Sequence, residues 1–205
     1  MTGITGLGRR RAAFLDRDGV INIDHGYVVR HEDFSFVPGV LAGARRLHEL
    51  GFALVVITNQ SGIGRGLYSV EAFEQLTDWM KTQFEAAGAP LAGVYFCPHH
   101  PTEATGEFGR PCECRKPAPG MLLAAAQDLG LNLGSSVLFG DKESDLLAAR
   151  AAGVPERVLL GTDGIARPAA PAKSGLATAL FRRLDEALTD SSLLAALHVS
   201  GTVPG

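Results

Sequence analysis

The feature that most constrains the fold is a repeated alternation between short apolar runs and segments of helical period. The runs AAFLD (residues 12–16), FALVVITN (52–59) and SSVLFGD (135–141) are mostly apolar and end in polar residues. Between them, residues 69–88 space apolar side chains three and four positions apart, with Ser69 as a candidate N-terminal cap. Such alternation is typical of a parallel sheet whose strands are joined by helices. We therefore predict an α/β fold, a Rossmann-like parallel sheet with helices on both faces.

The rest of the chain extends this pattern. We predict helices at residues 39–51, 120–130, 144–153 and 176–188, short strands at 93–96 and 157–161, and a linker at 166–175. We expect a single domain with a core of about residues 11–190. We also expect an irregular loop insertion at 97–119, a flexible N-terminus at 1–10 and an unstructured C-terminal tail at 198–205.

Charge and hydropathy exclude several functional classes. The chain has 205 residues, 46% of them hydrophobic, which is enough for a buried core. Its net charge of -3 argues against a broad nucleic-acid surface. No apolar run reaches the roughly 18 residues that a membrane helix needs, and no apolar segment follows the basic N-terminal cluster. We expect a cytoplasmic monomer that binds neither nucleic acid nor membrane.

Polar residues follow three predicted strands at the point where each strand ends. Asp16 and Asp18 follow the first, Thr58 and Asn59 end the second, and Asp141 follows a later one. Because the carboxyl ends of parallel strands share one edge of the sheet, these side chains should converge. Clustered carboxylates repel each other unless a cation lies among them, and Mg²⁺ prefers oxygen ligands. The sequence therefore predicts a magnesium site at this edge.

The same residues suit the transfer of a phosphoryl group. Asp16 can attack phosphorus, while Asp18 can protonate the leaving oxygen and later take a proton from water. Thr58 can donate a hydrogen bond to a phosphoryl oxygen, and Lys116 can neutralise its charge. Asp145 either orients the lysine or the metal's waters, or simply caps a helix. Acids at strand ends are often only caps or turn residues, but four such elements in this order favour catalysis.

Four stretches, FLDRDGVI, VITNQSG, RKPAPGM and LFGDKESD, resemble the motifs of the haloacid dehalogenase superfamily of phosphohydrolases. The resemblance spans about residues 12–155. It implies that Asp16 is the nucleophile and Asp18 the general acid and base, and that Thr58 and Lys116 stabilise the phosphoryl group. The implied ligands of Mg²⁺ are oxygen atoms of three residues: Asp16, Asp18 (through its main-chain carbonyl) and Asp141.

DRDGVINIDHGYV, TNQSGIGRG and the cysteine-rich loop before RKP resemble one branch more closely, that of heptose bisphosphate phosphatases and histidinol-phosphatases. The substrate contacts that this branch implies come from three short segments: Asp24, His25, Gly26 and Tyr27; Asn59, Gln60 and Ser61; and Arg115 with Lys116. His25 either touches a substrate hydroxyl or is merely exposed, and Lys142 either meets a second phosphate or caps a helix. The segments after Asp16 and Thr58 are too short for a large cap domain, so short loops should form the substrate wall.

All three cysteines fall within one loop, CPHHPTEATGEFGRPCECRKP. Four of its side chains can form a closed tetrahedral zinc site: Cys97, His99, Cys112 and Cys114. His100 is the competing imidazole, and the resemblance favours His99. Free thiols, or one disulfide with a cysteine left over, are the alternative, although cytosolic disulfides are uncommon. Four protein ligands leave no open position, so this zinc should be structural and should hold Arg115 and Lys116 in place.

We expect a phosphatase of small phosphorylated sugars with catalytic Mg²⁺ and structural Zn²⁺. The resemblance implies removal of the 7-phosphate of D-glycero-D-manno-heptose 1,7-bisphosphate through an aspartyl-phosphate. Two alternatives stay open, namely hydrolysis of histidinol phosphate and a zinc-stabilised binding module that has lost catalysis. The second is disfavoured because Asp16, Asp18 and Lys116 are all present.

Overall fold

A computed structural model describes residues 10–162 and 175–199 of the chain. Its strands are β1 (Ala12–Leu15), β2 (Ala53–Asn59), β3 (Leu91–Cys97), β4 (Val137–Gly140), β5 (Glu156–Leu160) and β6 (Ala179–Phe181). They form one sheet of order β3-β2-β1-β4-β5-β6, and every neighbouring pair is parallel. The chain moves outward from β1 to β3 and then returns to the other side of β1. A ligand crevice is therefore expected between β1 and β4, beyond their carboxyl ends.

The helices connect these strands. They are α1 (Val40–Glu49), α2 (Ser61–Gly64), α3 (Val70–Ala86), α4 (Gly120–Leu129), α5 (Glu143–Ala151), α6 (Leu184–Ala187) and α7 (Ser191–Val199). The predicted cap of α3 is confirmed, because the Ser69 hydroxyl oxygen accepts a hydrogen bond from the Ala72 amide at 3.2 Å. Gly51, the predicted stop of α1, has the positive φ of 85° that glycine adopts without steric cost.

Side chains alternate between the two faces of the sheet, and each face carries its own apolar core. Leu15 of β1 belongs to the core that includes residues of α1, α3, α6 and α7. Phe14, its neighbour, belongs to the opposite core, which includes residues of α4 and α5. All four residues of β1 are fully buried, as expected for the central strand of a covered sheet. Helices on both faces confirm the predicted fold class.

The C-terminal part differs from the prediction. Residues 176–188 were expected to form one surface helix, but they contain strand β6 followed by the short helix α6. Strand β5 is therefore not the last strand of the sheet. Helix α7 also extends through His198 into the predicted unstructured tail. The calls on residues 1–9, on most of the linker at 166–175 and on 200–205 lie outside the described residues.

The predicted absence of a large cap domain agrees with the described part of the chain. Between β1 and α1 there is only one short 3-10 helix, and between β2 and α3 only the single-turn α2. Among residues 10–162 and 175–199, no helix has the length and apolarity needed to cross a membrane.

Candidate active site

A cavity of about 520 Å³ opens at the carboxyl ends of β1 and β2. Its lining includes most of the predicted site residues: Asp16, Asp18, Asp24, Gly26, Tyr27, Thr58, Asn59, Gln60, Ser61, Arg115, Lys116 and Lys142. His25 is exposed and lies in a neighbouring depression instead. Asp141 does not line the cavity, since its side chain is fully buried behind it. The structure thus brings together residues that are up to 126 positions apart in sequence, from Asp16 to Lys142.

Lys116 provides the positive charge at the floor of this cavity. Its ammonium nitrogen lies 2.8 Å from a carboxylate oxygen of Asp16 and 2.8 Å from one of Asp145, and it donates to the Ile57 carbonyl at 3.0 Å. These three oxygens equal the number of N–H donors of the group. Burial alone would lower the pKa of Lys116, but Asp145 and Asp16 raise it above its ordinary value. Lys116 is therefore a permanently charged and directionally fixed cation.

Asn59 holds the main chain of Lys116. Its side-chain nitrogen donates to the Lys116 carbonyl at 3.1 Å, and its side-chain oxygen accepts from the Lys116 amide at 3.1 Å. This paired contact fastens the loop that carries the lysine to the end of β2. Asn59, predicted as a substrate contact, thus also positions a catalytic candidate.

The three buried acids carry more negative charge than Lys116 balances. Ligand atoms of Asp16, Asp141 and Asp145 lie within 4.8 Å of one another. Burial raises the pKa of Asp141 to about 8, and the charges of Asp16 and Asp145 add to the rise. Burial also raises the pKa of Asp16 to about 6, although Lys116 opposes this. Both Asp141 oxygens are buried without a hydrogen-bond partner, which is costly unless a cation is bound. The donor set and its unpartnered oxygens fit a hard divalent metal ion.

Gly19 permits the close approach of the first loop to Asp141. Its φ is 95°, a conformation that residues with a Cβ rarely adopt. A Cβ at this position would also overlap the Asp141 carboxylate. The glycine that follows the D-x-D sequence is therefore required by both backbone conformation and space.

Asp18 is held by a ring of hydrogen-bond donors. Arg17, only 2% exposed, donates to its Oδ1 at 2.9 Å and to the Val28 carbonyl at 3.0 Å. Asn22 donates to the same carboxylate oxygen at 3.1 Å, and Gln60 donates to Oδ2 at 2.8 Å. Sequence reasoning missed Arg17, and its only signal was its place between the two acids. The side chain of Asp18 is therefore oriented toward the cavity by buried groups.

Asp145 serves two purposes, so the alternatives considered for it do not exclude each other, and Lys142 takes the N-cap position of α5. The Lys142 amide donates to the Asp145 carboxylate at 3.0 Å, which caps the start of α5. The Asp145 carboxylate also forms the ion pair with Lys116 described above. The Lys142 ammonium lies at the cavity rim, 3.4 Å from Asp24 and 3.7 Å from Asp141.

Arg65 connects a residue of the cavity lining to the cysteine loop. Its guanidinium donates to the Tyr27 hydroxyl at 2.7 Å and forms an ion pair with Glu103. Tyr27 belongs to the segment predicted to contact substrate, and Glu103 belongs to the cysteine loop. Arg65 therefore connects this segment to the cysteine loop.

The four predicted zinc ligands lie together. The Cys97 sulfur is 3.5 Å from that of Cys112 and 3.0 Å from that of Cys114, and His99 Nδ1 is 3.6 Å and 3.4 Å from the sulfurs of Cys97 and Cys114. Zinc–sulfur bonds of about 2.3 Å in a tetrahedron separate sulfurs by about 3.8 Å, so the cluster has nearly the required size. All three cysteines are free rather than disulfide-bonded. This cluster could bind zinc.

The geometry favours His99 over His100 as the imidazole of the cluster. His100 Nδ1 accepts hydrogen bonds from the main-chain amides of Thr102 and Glu103, at 3.4 Å and 3.1 Å. The Arg115 guanidinium donates to the His99 carbonyl at 3.2 Å. The cluster is thus connected to the cation that lines the cavity beside Lys116.

The known proteins that resemble this chain include phosphatases, as expected from the geometry of this site. The HAD-hydrolase-like family matches residues 113–187. The chain is 50% identical over 151 residues to D-glycero-beta-D-manno-heptose-1,7-bisphosphate 7-phosphatase of Yersinia pestis, covering 74% of this chain and 80% of the relative. It is 51% identical over 152 residues to the alpha-anomer 7-phosphatase of Burkholderia mallei, with shares of 74% and 80%. The crystal structure of D,D-heptose 1,7-bisphosphate phosphatase from B. bronchiseptica, complexed with magnesium and phosphate, superposes with a TM-score of 0.64 at 32% identity, covering 73% and 80% of the two chains.

Fold, site and relatives together define a phosphatase of the haloacid-dehalogenase-like hydrolases. Within that class, the chain belongs to the family of the D-glycero-D-manno-heptose-1,7-bisphosphate 7-phosphatases. The resemblance predicted from the four motifs is confirmed.

The raised pKa of Asp141 predicts a pH-dependent stability in protein freed of magnesium. A carboxyl whose pKa rises from 3.8 to about 8 on folding binds protons more tightly when folded. Its contribution to the free energy of unfolding therefore falls as pH increases from about 4 to about 8. We expect Asp141→Asn to gain stability relative to the unaltered protein across this window, measured by urea unfolding. Parallel stability curves for the two proteins would contradict this assignment.

Proposed function

We propose that this phosphatase is Mg²⁺-dependent and removes the 7-phosphate of D-glycero-D-manno-heptose 1,7-bisphosphate. The observation that carries the proposal is the buried cluster of Asp16, Asp141 and Asp145, only partly balanced by Lys116, at the floor of a polar cavity. The cavity, about 520 Å³, has room for a phosphorylated sugar. The names of the relatives support this substrate.

Magnesium fits the chemistry of the acidic cluster. We infer that Asp16 and Asp141 hold it through carboxylate oxygens, and Asp18 through its main-chain carbonyl. The two unpartnered Asp141 oxygens support this, as does the magnesium in the structure of the B. bronchiseptica relative. When bound, the ion supplies positive charge that offsets the carboxylates and the substrate phosphate.

Asp16 is the proposed nucleophile, which attacks phosphorus and forms an aspartyl-phosphate. Lys116, 2.8 Å from its Oδ1, favours the ionised carboxylate that this attack needs and neutralises the transferring group. The Thr58 hydroxyl, buried at the end of β2, donates to a phosphoryl oxygen. Asp18 lines the same cavity, where it protonates the leaving sugar oxygen and later takes a proton from water.

The proposed substrate wall consists of short loops. Residues of the first loop contribute Asp24, Gly26 and Tyr27, the segment after β2 contributes Asn59, Gln60 and Ser61, and cations come from Arg115 and Lys142. Lys142 is half exposed at the rim, where it can meet the second phosphate of a bisphosphate. For His25, only its position in the first loop supports a contact with the substrate. The cytoplasmic location and the monomeric state stay predictions of the sequence.

Zinc is proposed as the structural ion of the loop, bound by Cys97, His99, Cys112 and Cys114. Its effect on function would pass through Arg115, which follows the last of these ligands and donates to the His99 carbonyl. Holding this cation beside Lys116 lowers the entropy that substrate binding must remove.

The substrate proposal is tested by steady-state rates on both anomers of heptose 1,7-bisphosphate and on histidinol phosphate, with Mg²⁺. We expect the highest kcat/KM for one heptose anomer, because the rim offers a cation to a second phosphate that histidinol phosphate lacks. Asp16→Asn should reduce kcat on every substrate by at least about 10³-fold, since it removes the nucleophile. A preference for histidinol phosphate would reject the heptose assignment, and an active Asp16→Asn protein would reject the mechanism.

The zinc proposal is tested with Cys112→Ser, with His99→Ala and, as a matched control, with His100→Ala. We expect about one zinc per chain in the unaltered protein and in His100→Ala, and a loss of zinc in the other two. The zinc-depleted variants should show a raised KM for heptose bisphosphate and a lower Tm, because the loop that holds Arg115 loosens. Full zinc retention by His99→Ala, or unchanged KM and Tm in Cys112→Ser, would refute the proposal.

A further inference from the structure

We propose that Tyr68 and Gln60 form a positioning pair that sets the direction of the Thr58 hydroxyl and of the Asp18 carboxylate. The Gln60 amide nitrogen donates to Asp18 Oδ2 at 2.8 Å and to Thr58 Oγ1 at 2.8 Å. The Gln60 amide oxygen accepts from the Tyr68 hydroxyl at 2.5 Å. The inference rests on the proposed roles of Thr58 and Asp18 and assigns the residues that hold them.

The contacts leave only one orientation for the buried Gln60 amide. Gln60 is 2% exposed, so water cannot replace a lost partner. Rotating the amide by half a turn would place its oxygen against the Asp18 carboxylate and against Thr58, with no donor toward the acid. It would also leave the Tyr68 hydroxyl facing an NH₂ group. The Asp18 carboxylate, which needs a donor, therefore decides which end of the amide faces the cavity floor, and the Tyr68 hydroxyl stabilises that orientation by donating to the Gln60 oxygen.

Tyr68 is suited to this task because its hydroxyl keeps its proton. Burial raises the pKa of Tyr68 to about 12, and the Asp18 and Tyr27 groups add to the rise while Arg17 opposes it. A neutral tyrosine can donate to the Gln60 oxygen throughout the physiological range. Gly62 provides the room, since a Cβ there would overlap the Tyr68 ring.

The first consequence concerns the proton of Thr58. Its hydroxyl oxygen already accepts a hydrogen bond from Gln60, so its own hydrogen is free to point elsewhere. Thr58 lines the cavity, and a phosphoryl oxygen there would receive that hydrogen. Without Gln60 the hydroxyl could rotate and would have to be reoriented in each catalytic cycle.

The second consequence concerns Asp18. Arg17 and Asn22 donate to its Oδ1, and Gln60 donates to Oδ2 from the side of β2. The contact from Gln60 therefore couples the proposed acid to the same amide that directs Thr58. Loss of the Tyr68 hydroxyl should disturb both groups through one residue, without removing any group that the mechanism assigns to substrate.

The chain offers a matched control for the deletion of a single hydroxyl. Tyr95 donates to Asp128 at 3.2 Å on the surface and does not line the cavity. We expect Tyr68→Phe to lower kcat on heptose bisphosphate about 3–10-fold with KM within about twofold, the scale of one neutral hydrogen bond. Tyr95→Phe should leave both constants unchanged. Circular dichroism should be alike in the two variants, and Tm should be slightly lower for Tyr68→Phe, because the buried Gln60 oxygen loses its donor.

Substrates with different leaving groups distinguish a positioning role of Tyr68 from a direct contact between Tyr68 and the substrate. p-Nitrophenolate needs no proton to depart, so the kcat of Tyr68→Phe should fall less on p-nitrophenyl phosphate than on the sugar phosphate. In a Gln60→Leu background, Tyr68→Phe should cause no further loss, because the pair acts through the amide. A raised KM with unchanged kcat, equal losses on both substrates, or additive losses in the double variant would each overturn the proposal.

The test stays decisive if the proposed substrate is wrong. If the unaltered enzyme does not hydrolyse heptose bisphosphate, only the substrate proposal is rejected. The comparison then uses histidinol phosphate or glycerol phosphate, whichever alkyl phosphate the unaltered enzyme hydrolyses, against p-nitrophenyl phosphate. The kcat of Tyr68→Phe should again fall less on p-nitrophenyl phosphate than on the alkyl phosphate. Equal losses on the two substrates would reject the positioning pair.

Discussion

The buried ammonium of Lys116 is the interaction on which the rest of the site depends. It lies between Asp16 and Asp145 and is held in direction by the Ile57 carbonyl. Removing one partner of such a buried pair typically costs about 3–5 kcal/mol, because the charge left behind has no solvent. Stability and catalysis therefore use the same group, and Asn59 fixes its main chain to the sheet.

Much of the architecture could be predicted because it follows from local patterns. Continuous apolar runs indicate strands covered on both faces, and polar residues just after them mark the ligand edge of a parallel sheet. That rule alone brought Asp16, Thr58 and Asp141 together. The zinc cluster was predictable because it uses every cysteine of the chain within one loop.

The remaining features depend on contacts that no local pattern encodes. Strand β6 lies in a segment whose apolar spacing also fits a helix, and pairing with β5 decides between them. Arg17 and Tyr68 gain their importance from buried partners on other loops. Asp145 was left open between a cap and a partner of Lys116, and it is both because the start of α5 faces the lysine.

The central claim is that the cluster of Asp16, Asp141 and Asp145, whose buried cation is Lys116, needs a second cation, which the proposed magnesium supplies. Calorimetric titration of Mg²⁺ in buffers of different ionisation enthalpy counts the protons released on binding. Since burial raises the pKa of Asp141 to about 8, binding at a pH of about 7 should release about one proton per ion, and at a pH of about 10 almost none. Asp141→Asn should lose both the release and most of the affinity. Binding without proton release at a pH of about 7, or no binding, would contradict the account.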